Sequence, residues 1–362
     1  MRVAAVLVAV VMVAGCTSGT AGGVRPGAVA PADRLMPPVS GVPLVAGGLR
    51  LLVTGPGAFL LDVDSGRRTA IHGLPEGSEY RGFVAGRRIV IGAFTPGVAG
   101  PERLHVLDGT RARPLAEGQW AFAARDGLGV WVIRQAGGER CEVRELGFTG
   151  RPRRPGFPLR CDAAPFADSA LGLLVNRADG RMEVLDRRTG APTGRWRAVP
   201  GWQVLGATPR AALTRSVGRP ARERLSLLDP ATFRSAGVPV PPTEGRPVVG
   251  TPDPGGRRMA VRFVDPAFPG PRQYLDVWVL DLRTRTWSRV PSMPAPAAIK
   301  TVAMGWTPDG LLVVTGDFIM TDQVHPAESD YATLVLAWRP GETRVSLKRL
   351  PIGRRHLAEL VP

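Results

Sequence analysis

The feature that most constrains this chain is a recurring unit that starts near residue 43 and continues to residue 362. Each copy has a short apolar run, a Gly/Pro/Asp turn, a second apolar run, a variable loop, a third run ending near Asp, another turn and a final run. The second run starts near Leu49, Ile89, Leu128, Leu171, Ala211, Met259 and Leu311, at spacings of 40, 39, 43, 40, 48 and 52 residues. A period that drifts in this way fits one supersecondary unit whose loops vary in length.

The runs read as strands. Those ending in Asp include Leu60-Leu61-Asp62, Leu104-His105-Val106-Leu107-Asp108, Met182-Glu183-Val184-Leu185-Asp186, Leu225-Ser226-Leu227-Leu228-Asp229 and Val277-Trp278-Val279-Leu280-Asp281. They are short, apolar and bounded by turn residues, and no segment carries a sustained helical stripe. The turns before the second runs, such as Arg125-Asp126-Gly127 and Thr307-Pro308-Asp309-Gly310, have the Pro and Asp-Gly chemistry that closes a hairpin. The expected fold is therefore all-β: a seven-bladed β-propeller of four-stranded antiparallel blades over residues 43–362, at about 46 residues per blade. A six-bladed ring with the first unit as a partial closing blade is the alternative. The tail from Arg354 to Pro362 either completes a blade or packs across a face. Thr251-Pro252-Asp253-Pro254-Gly255-Gly256 and Trp306-Thr307-Pro308-Asp309-Gly310 resemble the Ser-Pro-Asp-Gly hairpins of TolB-like and YncE-like propellers. That resemblance implies the fold and carries much less about function.

The first forty residues are of a different kind. Arg2 is followed by an apolar run from Val3 to Ala14 and then by Val13-Ala14-Gly15-Cys16. The run is short of the about 20 helical residues that a membrane span needs, so residues 1–15 read as a signal peptide. The motif resembles the lipobox of bacterial lipoproteins. This resemblance implies that Cys16 is lipidated, with each buried CH₂ contributing about 0.8 kcal/mol to membrane anchoring. Residues 16–42 are rich in Gly and Pro and read as a flexible tether. The expected location is thus the extracytoplasmic face of the membrane, with the lipid bilayer as a partner through Cys16.

The two remaining cysteines, Cys141 and Cys161, flank a turn near residue 151 and are expected to form a disulfide within the third unit, with two buried free thiols as the alternative. The net charge of +16 comes almost wholly from Arg, since Lys300 and Lys348 are the two lysines among 47 basic residues. These arginines are scattered through turns and form no basic arm, so nucleic acid is not an expected partner.

His72, His105, His325 and His356 lack metal-ligand spacing, and no nucleophile elbow or Walker loop is present, so no metal and no cofactor is expected. Asp186-Arg187-Arg188-Thr189-Gly190 followed by Trp196 faintly resembles the tryptophan-docking repeat of quinoprotein propellers, but the displaced Trp argues against bound quinone. The candidate channel-mouth residues are Arg134, Arg177, Arg215 and Arg262, near the ends of second strands, and Asp317, Asp322 and His325, in the loop of the last unit. A cationic rim beside an acidic loop suits a charged ligand or an envelope protein partner. The resulting expectation is a binding scaffold at the cell envelope, and the competing class is an enzyme with its site at the channel mouth.

Overall fold

The computed structural model describes residues 37–361 apart from 46, 99, 178–181, 194–201, 209, 217–223, 230–231, 233, 266–272, 322–326, 328–329 and 354–355. The expected signal peptide, Cys16, most of the tether, Asp322 and His325 lie outside the described residues.

All named elements are strands. A short β1 (Val42–Pro43) precedes β2 (Arg50–Thr54), β3 (Phe59–Asp62) and β4 (Arg68–Ala70). Next come β5 (Glu79–Ala85), β6 (Arg88–Phe94), β7 (Glu102–Asp108) and β8 (Arg111–Gly118), then β9 (Trp120–Ala123), β10 (Gly129–Gly137), β11 (Arg140–Gly147) and β12 (Phe157–Arg160). The chain continues through β13 (Ala164–Ser169), β14 (Gly172–Asn176) and β15 (Met182–Leu185), and through β16 (Trp202–Ala207), β17 (Ala212–Ser216), β18 (Leu225–Leu228) and β19 (Ser235–Val238). It ends with β20 (Arg246–Pro252), β21 (Arg258–Val264), β22 (Gln273–Asp281), β23 (Trp287–Arg289), β24 (Ala295–Trp306), β25 (Leu312–Ile319), β26 (Tyr331–Trp338), β27 (Ser346–Arg349) and β28 (Leu357–Val361).

Consecutive strands pair antiparallel into up-and-down meanders. Four sheets have four strands, and the β13–β15 sheet has three, extended by a bridge between Leu185 and Pro192. The meanders β20–β23 and β24–β27 are joined into one nine-stranded sheet by the pairing of β22 with β24 and the addition of β1. Both ends of the chain act as clasps. β28 pairs with β2 and becomes the inner strand of the first sheet, so the tail completes a blade. At the other end β1 adds in parallel to β27. The packed chain begins before residue 43: Val39 is buried, and Ser292 Oγ donates to the Ser40 carbonyl at 2.5 Å.

The hydrophobic core closes the sheets into a ring. Leu52 and Leu60 of the first sheet pack on Ile91 and Leu107 of the second, and Val90 and Leu104 pack on Val130 and Val132 of the third. Trp131 and Val143 meet Leu173 and Val175, and Leu174 and Val184 meet Ala212 and Leu228. Leu213 and Leu225 meet Met259 and Phe263, and Val277 and Val279 share a cluster with Val314 and Leu334. Finally Val313 and Val335 pack on Leu51, Leu61 and Ala358, returning to the first sheet. Burying both faces of nearly every sheet explains why every residue of β25 and β26 is buried, where alternation would mark a sheet with one wet face.

Turn chemistry repeats with the sheets. Asp62, Asp186 and Asp281 end third strands and accept backbone N–H bonds from Ser65, Thr189 and Thr284 at 2.8, 2.9 and 2.8 Å. These bonds hold all three carboxyls below the usual aspartate range. Four residues after each Asp the backbone turns left-handed, at Gly66 (φ 71°), Gly190 (φ 69°) and Arg285 (φ 59°). In the third sheet the expected disulfide is present: Cys141 at the start of β11 is bonded to Cys161 just beyond β12, with Cα atoms 5.0 Å apart.

Candidate functional site

The inner strands β5, β9, β13, β16, β20, β24 and β28 face the axis of the ring, and four of them depart from regular pairing. β13, β16 and β20 each carry a one-residue register shift, between Pro165 and Ala167, Val204 and Gly206, and Pro247 and Val249. β24 carries a larger one. Ala298 pairs with Asp317 and Ala303 with Thr315, so Ile299, Lys300, Thr301 and Val302 bulge opposite the single residue Gly316. Bulges of this kind re-aim side chains beside functional sites.

The bulge is stitched in place. Thr301 Oγ1 donates to the Ala298 carbonyl at 2.9 Å and accepts the Asp317 backbone N–H at 3.0 Å. Arg262 Nη1 donates to the Val302 carbonyl at 2.9 Å. Gly316 is required by space: a Cβ there would lie 2.9 Å from Val302 Cγ2 and 3.2 Å from its Cα.

The bulge forms one wall of a cavity of about 1190 Å³. Phe83 and Val84 of β5, Val249 and Thr251 of β20, and Leu357, Leu360 and Val361 of β28 supply other walls, and the space extends past Gly47 and Gly48 to Asp309 and Arg339. The surface is mainly apolar, with two polar groups out of balance. Glu359 lies on β28, and burial pushes its carboxyl up to about 7, since nothing nearby replaces the water it loses. Its Oε2 has no hydrogen-bond partner. Arg262 also lines the cavity; burial lowers its guanidinium from its usual value, its Nε has no partner, and no carboxylate pairs with it among the described residues. Lys300, on the bulge, is exposed and lines the same space.

The structure disperses the arginines that sequence reasoning grouped as a rim. Arg262 is the one on the cavity wall. Arg215 donates to Gln203 Oε1 at 2.7 Å and, through Nη1, to the Pro247 carbonyl of the next inner strand at 2.6 Å. Arg177 pairs with Glu183, Nε to Oε2 2.8 Å, across the β14–β15 hairpin. Arg134 is exposed and borders a separate groove of about 600 Å³ with Arg103, His105 and Glu117. Asp317 sits inside β25, fully buried, where its carboxylate accepts the Thr333 hydroxyl; the loop begins after it, because pairing with β26 continues through Ile319. His105 is a buried core residue whose Nδ1 meets the Arg103 carbonyl at 3.0 Å, and desolvation lowers its pKa.

Glu359 and Lys300 were not singled out from sequence. The available signal was a lone carboxylate in the apolar strand Leu357-Ala358-Glu359-Leu360-Val361, and one of two lysines set inside an inner strand.

Exposed arginines recur in the turns at one end of the ring. Turns between first and second and between third and fourth strands share one end, and there Arg67, Arg87, Arg151, Arg188, Arg257 and Arg283 are all exposed. At the opposite end, loops carry Glu76, Glu139, Asp162 and Glu244.

No family model and no curated protein matches the chain. Solved structures do. The β-propeller domain of the Trilobed protease from Pyrococcus furiosus, described as having an open velcro topology, aligns over 88% of this chain and 99% of its own, with 10% identity and a TM-score of 0.54. TolB from Acinetobacter baumannii aligns over 87% and 67%, with 10% identity and a TM-score of 0.47. An oligogalacturonate lyase in complex with manganese aligns over 74% and 83%, with 13% identity and a TM-score of 0.45. The chain has the β-propeller fold. Its closure has β28 paired with β2 in one sheet.

Proposed function

We propose that the chain is an extracytoplasmic lipoprotein, anchored in the membrane through a lipidated Cys16, whose seven-bladed propeller binds a protein partner or charged ligand at the cell envelope. The observation that carries the binding role is the cavity of about 1190 Å³ beside the inner strands β5, β20, β24 and β28, with Arg262, Lys300 and Glu359 among its lining residues. The blade count is supported by the two meanders of the nine-stranded sheet and by the seven apolar clusters that link successive sheets. The Cys141–Cys161 bridge suits an oxidising compartment. The exposed arginines of the turns suit an anionic membrane surface or polymer.

The test is fractionation and crosslinking in intact cells. Cys16→Ala should move the protein from membranes to the soluble fraction, and a specific envelope protein should crosslink to the wild-type chain and be lost with the anchor. Membrane retention of Cys16→Ala would refute the anchor. Absence of any specific partner would refute a protein scaffold.

One observation favours an enzyme instead. A carboxyl titrating at about 7 inside a cavity, as Glu359 does, is suited to general acid–base work near neutral pH. Under that reading Glu359→Gln abolishes turnover of a substrate found by screening; under the binding reading no substrate is turned over.

A further inference from the structure

We propose that the cavity is a binding site for a small amphipathic anion, a carboxylate or phosphate ester with an apolar body, whose charged group is received by Arg262 and Lys300 at the β24 bulge. The proposal names a ligand class for the binding reading above and rests on that reading for the cavity alone.

Both cations meet at the bulge: one lies on it and the other is bonded to it. Arg262 reaches it from β21 and spends one hydrogen bond on the Val302 carbonyl, while Lys300 lies on the bulge itself, two residues away. The guanidinium Nε is buried without a partner, and no carboxylate pairs with the group among the described residues; a desolvated cation without a counter-charge favours an anionic guest. The surrounding wall of Phe83, Val84, Ile299, Met304 and Leu360 offers apolar surface for the rest of the ligand. Glu359 adds a condition. With an anion in the cavity its carboxyl is favoured in the protonated form, which donates a hydrogen bond, so binding takes up a proton. The charged or titratable groups on the elements packed against β28 are Arg50 on β2, Glu79, Tyr80 and Arg81 on β5, Lys300 on β24 and Asp317 on β25.

The test is calorimetric titration of the Cys16→Ala chain, which needs no detergent, with decanoate and with decylammonium below their micelle concentrations. Decanoate should bind and decylammonium should bind at least tenfold more weakly. Arg262→Gln should weaken decanoate about tenfold and Lys300→Gln severalfold. From pH 6 to pH 8 decanoate affinity should fall about tenfold in the parent chain, and Glu359→Gln should flatten that dependence. Thermal melting of each variant reports folding, and if Arg262→Gln does not fold, Lys300→Gln decides. No decanoate binding, tighter binding of decylammonium, or unchanged decanoate affinity in the folded arginine and lysine variants would each overturn the proposal. Because the assay involves neither membrane nor protein partner, its failure leaves the cell-based test of the scaffold reading standing.

Discussion

Glu359 gives the fold a pH dependence of definite sign. Its carboxyl is raised from 4.5 to about 7 in the folded chain, so between those values the folded state holds a proton that the unfolded state has released. Stability therefore falls as pH rises through this window, by about 3 kcal/mol in total for a shift of that size. In urea unfolding, Glu359→Gln should be more stable than the parent by about that amount at pH 8 and by less at pH 5; parallel behaviour of the two proteins would contradict the assignment. Arg285 makes a second case. It holds φ 59° at the position where the matching turns have Gly66 and Gly190, and a left-handed backbone is costly for a side chain with a Cβ. Arg285→Gly should stabilise the protein by about 1 kcal/mol, read as a rise in Tm, and an unchanged or lower Tm would refute the strain argument. The Asp and Gly of these turns were legible in sequence because turn chemistry is local. Glu359 was not, since its unusual carboxyl depends on β28 closing the ring 300 residues away from β2.

At the scale of elements, the third sheet and the β24 bulge show what sequence can and cannot convey. Cys141 and Cys161 lie at equal distances from residue 151, which places them near one another across an antiparallel pair, so the bridge was readable before the structure; the register sets Cys141 opposite Leu159, and Cys161 reaches it from just beyond β12. Replacing both by Ser should lower stability by about 3 kcal/mol for a loop of this length, and a chain with no loss in denaturant midpoint would contradict it. The bulge left no such mark. Ile299-Lys300-Thr301-Val302 has the same mixed apolar character as its flanks, and its three-residue shift appears only in register against β25. The same blindness placed Asp317 in a loop, because a buried aspartate paired with Thr333 looks in sequence like a turn residue. Gly316→Val should push Val302 aside and cost about 1–3 kcal/mol, while also weakening any ligand bound at Arg262. An equally stable variant would mean that the bulge is not packed as described.

For the whole molecule, the repeat in the sequence announced a ring of small sheets, and the shared apolar clusters account for how neighbouring sheets pack. Which strands meet at the seam was not readable, because the tail beyond Arg354 offers one five-residue apolar run that would fit an inner strand or a surface equally well. The seam matters for everything proposed about the cavity: β28 carries Glu359, and Thr315 of β25 donates its hydroxyl to the Ala358 carbonyl there. The most direct test of a ring closed by its last strand uses the pairing of Arg50 with Val361, two positions at the strand ends whose opposed Cα atoms lie within disulfide reach. In a chain carrying Arg50→Cys and Val361→Cys, mild oxidation of the folded protein should produce a second disulfide linking the two peptides, identified by mass spectrometry after digestion. Free thiols at both positions under those conditions would show that the ring is not closed by β28, and the account of the cavity would fall with it.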